Sequence, residues 1–180
     1  MQVLVSPRAI PGDDDALDRE FKAFKSSLAA SNTATAPPVL REVNLGLGAD
    51  WIVFTIDLSL WLGAAVLIVP QAHKYIRESY EECKKMHAEM LGLIDRVRGD
   101  REVVRYPVEL LYLMSLGTVL AKSEGREVRF LSHRSLPVPS ELTNGFLALQ
   151  HHLFLFAVGS DLKLIAVDSD RRILWEETVA

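Results

Sequence analysis

Between Leu60 and Val97, residues at alternating spacings of four and three form an unbroken series: Leu62, Val66, Val69, His73, Ile76, Tyr80, Cys83, His87, Met90, Ile94 and Val97. This is the heptad seam of a helix that packs along its whole length, and nothing else in the chain restricts its fold so strongly. Before Pro70 the segment is apolar on nearly every side (Leu60, Trp61, Leu62, Ala64, Ala65, Val66, Leu67, Ile68, Val69), so it needs cover all round. After Pro70 the opposite face is charged, with Lys74, Arg77, Glu78, Glu81, Glu82, Lys84 and Lys85, and only one stripe needs cover. Pro70 itself removes a backbone donor and crowds the preceding turn, which predicts a kink. Unbroken, a helix over 60–98 measures roughly 58 Å, whereas a compact chain of this size has a radius of gyration of about 16 Å. Such a helix projects from the body or packs on a second copy. The expectation is a homodimer through Ile76, Tyr80, Cys83, His87, Met90, Ile94 and Val97.

At 180 residues the chain can bury one sizeable core. Its net charge of −4 supplies no basic face for phosphate, so neither nucleic acid nor a polybasic membrane anchor is expected. The single cysteine, Cys83, forbids an internal disulfide and suits a reducing compartment. The start, Met1-Gln-Val-Leu-Val-Ser-Pro, does not read as a signal peptide. The expected location is the cytoplasm.

One stretch competes with that reading. Ile52 to Val69 carries one charge, Asp57, over the length of a membrane span. Phe54, Ile56, Leu58 and Leu60, however, alternate with Thr55, Asp57 and Ser59, a period of two that belongs to a half-buried strand. The prediction is a strand over Trp51–Leu58, with Phe54, Ile56 and Leu58 inward and Asp57 outward or at an edge.

In chain order, Val3–Val5 reads as a short strand. Pro11-Gly12 and three aspartates, Asp13 to Asp15, precede an amphipathic helix with Leu17, Phe21, Phe24 and Leu28 on one face. Aspartates at a helix start cap its free N–H groups and complement its dipole, which explains them better than a hard-cation site. Val39–Leu45 and Trp51–Leu58 form a hairpin across Gly46-Leu-Gly-Ala-Asp. That pair of glycines is not a dinucleotide loop, because Trp51 stands at the third glycine position and a strand follows instead of a helix. The glycine turn leading into an apolar strand and helix is similar to small effector-associated domains of bacterial conflict systems. The likeness covers roughly the first hundred residues and assigns no functional residue. Gly99-Asp100 stops the long helix, and Glu102–Tyr106 is a fourth strand. The sequence strand, helix, strand, strand, helix, strand is the ferredoxin-like βαββαβ order.

Pro107 opens a further helix with Leu110, Leu111, Met114, Leu116, Val119 and Leu120 toward a core, and Gly125 ends it. Glu127–Leu131 is a strand. An antiparallel meander closes the chain: Leu153–Val158, Leu162–Val167 and Arg172–Val179, with turns at Gly159-Ser160-Asp161 and Asp168-Ser169-Asp170. The fold class is thus α+β: a ferredoxin-like half over 1–106 with one very long kinked helix, then a helix plus meander over 107–180, the two sharing one core.

No constellation of side chains declares a chemistry. His73 and His87 lie two heptads apart, about 21 Å along the axis, and read as interface histidines. His151 and His152 are adjacent on a strand and point to opposite faces. Asp161-Leu-Lys163 matches half of a metal-dependent nuclease site but lacks its second acid, since Asp168 sits at the far end of the hairpin. Ser132-His133 and Ser135 offer a hydroxyl beside an imidazole without an orienting acid. Arg126, Arg129 and Arg134 form a local basic patch suited to solvent or an acidic partner surface. Cys83, with Lys84, Lys85 and His87 nearby, reads as a buried thiol rather than a reactive one.

The expected function is a non-enzymatic protein-interaction or regulatory module that self-associates through the long helix, with no cofactor and no metal. A protein partner would be its other ligand. Two alternatives stand beside it. One is a small hydrolase or metal-dependent enzyme using His133, His151, His152, Asp161 and Asp168, which requires those side chains to converge on a pocket. The other is a membrane-inserting effector using residues 51–69.

Overall fold

The computed structural model describes residues 1–9, 12–30, 38–44, 52–58, 80–137 and 150–179. Eight strands and three helices occur among them: β1 (Gln2–Val5), α1 (Asp14–Ala30), β2 (Val39–Asn44), β3 (Ile52–Asp57), α2 (Tyr80–Arg98), β4 (Val103–Arg105), α3 (Val108–Ala121), β5 (Val128–Pro137), β6 (Gln150–Val158), β7 (Asp161–Asp168) and β8 (Ile173–Val179). The protein is α+β, with two four-stranded sheets ordered β2-β3-β1-β4 and β5-β6-β7-β8, every neighbouring pair antiparallel.

In the first sheet, the period of two in β3 takes effect against β1. Val3 pairs with Ile56 and Val5 with Phe54, and all four face the main core. The opposite face also buries side chains, since Leu4 and Val53 form a second, small cluster with Val104. The expectation for Trp51–Leu58 is a half-buried strand; β3 is instead covered on both faces, and Thr55 is buried with its neighbours. Asp57 lies at its partly exposed end. Helix α1 lays Leu17, Phe24 and Leu28 on the core face, and both Phe21 and Phe24 meet the ring of Phe54. Its start is capped by Asp13, whose Oδ1 accepts the Ala16 N–H at 2.9 Å.

Of the expected helix over 60–98, the described part is α2, nineteen residues from Tyr80 to Arg98. Leu60 to Ser79, with Pro70, His73 and Ile76, lie outside the described residues, as does Trp51. Gly99 ends α2 with φ of 64°, a conformation glycine takes without a Cβ clash.

Helix α3 is the hub. Leu110, Leu111, Tyr112 and Leu113 are consecutive and all buried, so the helix is covered on all sides. On one side it packs on α2, and on the other on β6 and β7. Tyr112 meets Phe130, Phe154 and Phe156 on the inner face of the second sheet. A single cluster of buried residues therefore runs from Val3 and Phe24 through α2 and α3 to Phe156 and Val167.

Candidate functional site

Where β4 runs into α3, a cleft of about 490 Å³ opens between the two sheets. Gln2, Arg105, Tyr106, Pro107, Val108 and Glu109 line one side, and His133, Ser135, Gln150 and His152 line the other. The junction is held by Ser169, whose carbonyl accepts the Tyr106 N–H at 3.0 Å. Its hydroxyl accepts from the Gln150 N–H and donates to the Gln150 carbonyl, both at 2.9 Å.

A β-bulge puts His133 into this cleft. Val128 and Phe130 face inward opposite Val158 and Phe156, and strict alternation would turn Ser132 and Arg134 inward next. The register shifts between Phe130 and Ser132, so His133 pairs with Phe154 and Ser135 with His152 on the inner face. His133 Nε2 and His152 Nδ1 lie 3.1 Å apart, within hydrogen-bond reach, and the rings stack. His152 is only 5% exposed, and its Nε2 has no partner among the described residues. Burial, helped by His133, Arg105 and His151, lowers its pKa to about 4; burial also lowers that of His133. Both rings are therefore neutral at pH 7.

Across the cleft, Arg105 is half-buried, and no carboxylate among the described residues pairs with it; burial lowers its pKa. Pro107 occupies the cap position of α3 without a side-chain acceptor. The first N–H groups of the helix, at Val108 and Glu109, have no intrahelical partner by construction. The Glu109 carboxylate lies 3.8 Å from the N-terminal ammonium.

The other candidates of the enzymatic alternative stand apart from the imidazole pair. His151 is on the opposite face of β6, level with Leu136 and Asp168. Asp161 pairs with Arg126 at 2.7 Å near the far end of the sheet, roughly 20 Å along β6 from His152. Asp168 caps its own turn, accepting the N–H groups of Asp170 and Arg172 and the Arg172 Nε. Lys163 points inward and meets Glu176 at 3.6 Å. Arg126, Arg129 and Arg134 do not share a patch, because Arg129 and Arg134 stand on the outer face of β5 while Arg126 sits at the turn before it.

The expected interface is largely interior. Cys83, Met90, Ile94 and Val97 are buried within the single chain, and the Cys83 thiol donates to the Leu113 carbonyl. Burial pushes that thiol up to about 11, which makes it unreactive. His87 is half-buried in the groove between α2 and α3, its pKa lowered by burial and by Arg171, and Tyr80 is exposed. Helix α3 covers the buried positions of the described part of that seam, while Ile76 lies outside the described residues.

The described residues cover the outer face of the second sheet only in part. Leu153, Leu155, Leu162, Leu164, Trp175 and Val179 share it in register, with Ala157 and Ala166 between them. Trp175 is 47% and Val179 51% exposed. Arg129 and Arg134 flank this apolar centre on β5, and Glu177 flanks it on β8. Among the described residues, no helix is long and apolar enough to cross a membrane, and no three His, Cys, Asp or Glu side chains group as metal ligands. Compared with known proteins, the chain matches no family model, and no curated protein or solved structure matches it significantly.

Proposed function

We propose that the chain is a non-enzymatic protein-interaction module that forms a homodimer through the outer face of its second sheet. The observation that carries this reading is the in-register apolar face of Leu153, Leu155, Leu162, Leu164, Trp175 and Val179. A patch of this kind, rimmed by charge, is characteristic of a contact surface. Its charges suit a second copy. A two-fold axis parallel to the strands lays the β5 edge of one sheet over the β8 edge of the other. Arg129 and Arg134 then face Glu177, which lies level with Ser132 between them. The result is an aligned β-sandwich with an isologous interface. The scatter of His151, Asp161 and Asp168 away from the imidazole pair favours binding over hydrolysis.

The first sheet with α1 and α2 we read as a ferredoxin-like unit. Its strand order β2-β3-β1-β4, antiparallel throughout, with helices between β1 and β2 and between β3 and β4, supports this.

Sedimentation at tens of micromolar tests the dimer. The expected result is a dimer for the native chain and a monomer for Trp175→Glu. Glu177→Arg weakens association, and combining it with Arg129→Glu and Arg134→Glu restores it. A native monomer, or a dimer indifferent to Trp175→Glu, refutes the reading.

A further inference from the structure

We propose that the free edge of β8 pairs antiparallel with β8 of a second copy, joining two second sheets into one continuous sheet. This contact is separate from the one through the outer face and does not depend on it. Strand β8 ends the order β5-β6-β7-β8, and no strand among the described residues pairs with its far side. Three consecutive residues there, Ile173, Leu174 and Trp175, are 43%, 46% and 47% exposed. An exposed apolar edge strand is a template for pairing with another chain, and the charges around this one specify its own copy. In Arg171-Arg172-Ile173-Leu174-Trp175-Glu176-Glu177, two bases precede the apolar triplet and two acids follow it. Turned end for end against itself, such a strand sets base against acid at both ends.

A β-bulge sets the match residue by residue. Trp175 pairs with Ala166 and Ile173 with Val167, so Leu174 is the additional residue. Trp175 and Glu177 lie on the outer face, level with Ala166 and Leu164. Arg172 is outward too, beside Asp168, to which its Nε donates at 2.8 Å, and its side chain is exposed. Arg171 is held over the Tyr106 ring, so Arg172 is the base that can reach across. A two-fold axis normal to the sheet at Trp175 keeps each face on its own side. Trp175 then lies beside Trp175 of the second copy. Two ladder steps away, past the bulge in one chain and along the regular strand in the other, Arg172 comes level with Glu177 of the second copy. Without the bulge Arg172 would meet Thr178 instead. The axis repeats the pair, so two opposite-charge contacts flank the paired indoles. Glu176, on the inner face, stays with Lys122 and Lys163. The other edges do not complement themselves. Strand β4 has three residues, and β5 carries two arginines and no carboxylate. Antiparallel self-pairing centred on β2 brings Arg41 or Glu42 against its own copy.

Trp175 and Glu177 belong to the outer-face contact as well, so the discriminating residue is Arg172, which belongs to the edge alone. Leu155→Glu, in the middle of the outer face, removes the other contact from the experiment. An edge contact buries less than a standard interface, so association of the full chain is followed by sedimentation up to several hundred micromolar. The Leu155→Glu chain is expected to dimerise over this range. Adding Arg172→Glu should weaken that association about tenfold or more, because the axis repeats the like-charge contact with Glu177. Adding Glu177→Arg to both should restore it. Trp175→Cys in the otherwise native chain gives a second readout that does not require Leu155→Glu to fold. Opposed residues of an antiparallel pair have Cα atoms about 4.5–5.5 Å apart, within disulfide reach. In the face-to-face dimer the same two positions lie at opposite edges of the sandwich, beyond that reach. Mild oxidation is expected to link this variant into a covalent dimer, with Cys83 buried and silent. Either a folded Leu155→Glu chain that stays monomeric, an association indifferent to Arg172→Glu, or a Trp175→Cys chain that does not cross-link overturns the proposal. A native dimer that Arg172→Glu leaves intact would then be the face-to-face one alone.

Discussion

Glu20 shows how much of a fold one carboxylate can organise. Its Oε2 accepts the N–H groups of Arg8 and Ala9, each at 2.8 Å, while its Oε1 takes Nε and Nη2 of Arg101, each at 3.0 Å. The Arg101 guanidinium in turn lies 3.6 Å over the ring of Phe24, and only 8% of Arg101 is exposed. The loop after β1, helix α1 and the segment between α2 and β4 are thus tied at one point. Burying a charge is tolerable only with its partner present, so removing one member leaves the other uncompensated. Glu20→Ala is therefore expected to cost about 3–5 kcal/mol in urea unfolding. Arg101→Met, which removes the buried cation and keeps the contact with Phe24, should cost less. A loss below about 1 kcal/mol for Glu20→Ala would show that water replaces the carboxylate.

At the scale of elements, α3 decides the architecture. Leu113 is 1% exposed, and its carbonyl receives the Cys83 thiol, so it stands where α2 and α3 meet. Leu113→Ala should destabilise by about 2–5 kcal/mol, and Leu120→Ala, at a half-buried position, by clearly less. Equal losses at the two sites would mean that α3 is not packed more tightly on its α2 side. This helix also explains which features the sequence disclosed. The seam positions Cys83, Met90, Ile94 and Val97 are buried as their spacing demands, yet a spacing records only that a stripe is covered, not by what. An apolar α3 and a second copy fill the same heptads equally well. The strands of the second sheet were readable because alternation and turn residues are local signals, and Gly159 at φ of 60° marks one turn plainly. The cleft was not readable, because one additional residue in β5 reverses which side chains face inward beyond Phe130. Nothing local announces that residue, so His133 and His152, nineteen positions apart, gave no sign of meeting.

Across the whole molecule, the two sheets meet around a neutral imidazole pair, which makes the joint between them sensitive to acid. His152 lies beside His133 on β5, Arg105 on β4 and His151 in β6, and Glu109 at the start of α3 lines the same cleft. Burial, helped by His133, Arg105 and His151, lowers its pKa from 6.5 to about 4 in the folded chain. Below pH 6.5 the unfolded chain takes up a proton that the folded chain refuses, so stability is complete above that pH and is lost as pH falls toward 4. The full difference corresponds to at most about 3 kcal/mol, and because the cleft admits water the measured loss should be about 1–2 kcal/mol. His133 and His87, both lowered by burial, act with the same sign. Urea unfolding from about pH 7 to about pH 4.5 should therefore show falling stability in the native chain. His152→Gln, which keeps a polar group in the joint but cannot titrate, should flatten that fall while the contribution of the other two histidines persists. Parallel curves for the two proteins would mean that His152 is protonated in the folded state without penalty, and that the joint between the sheets is open to solvent.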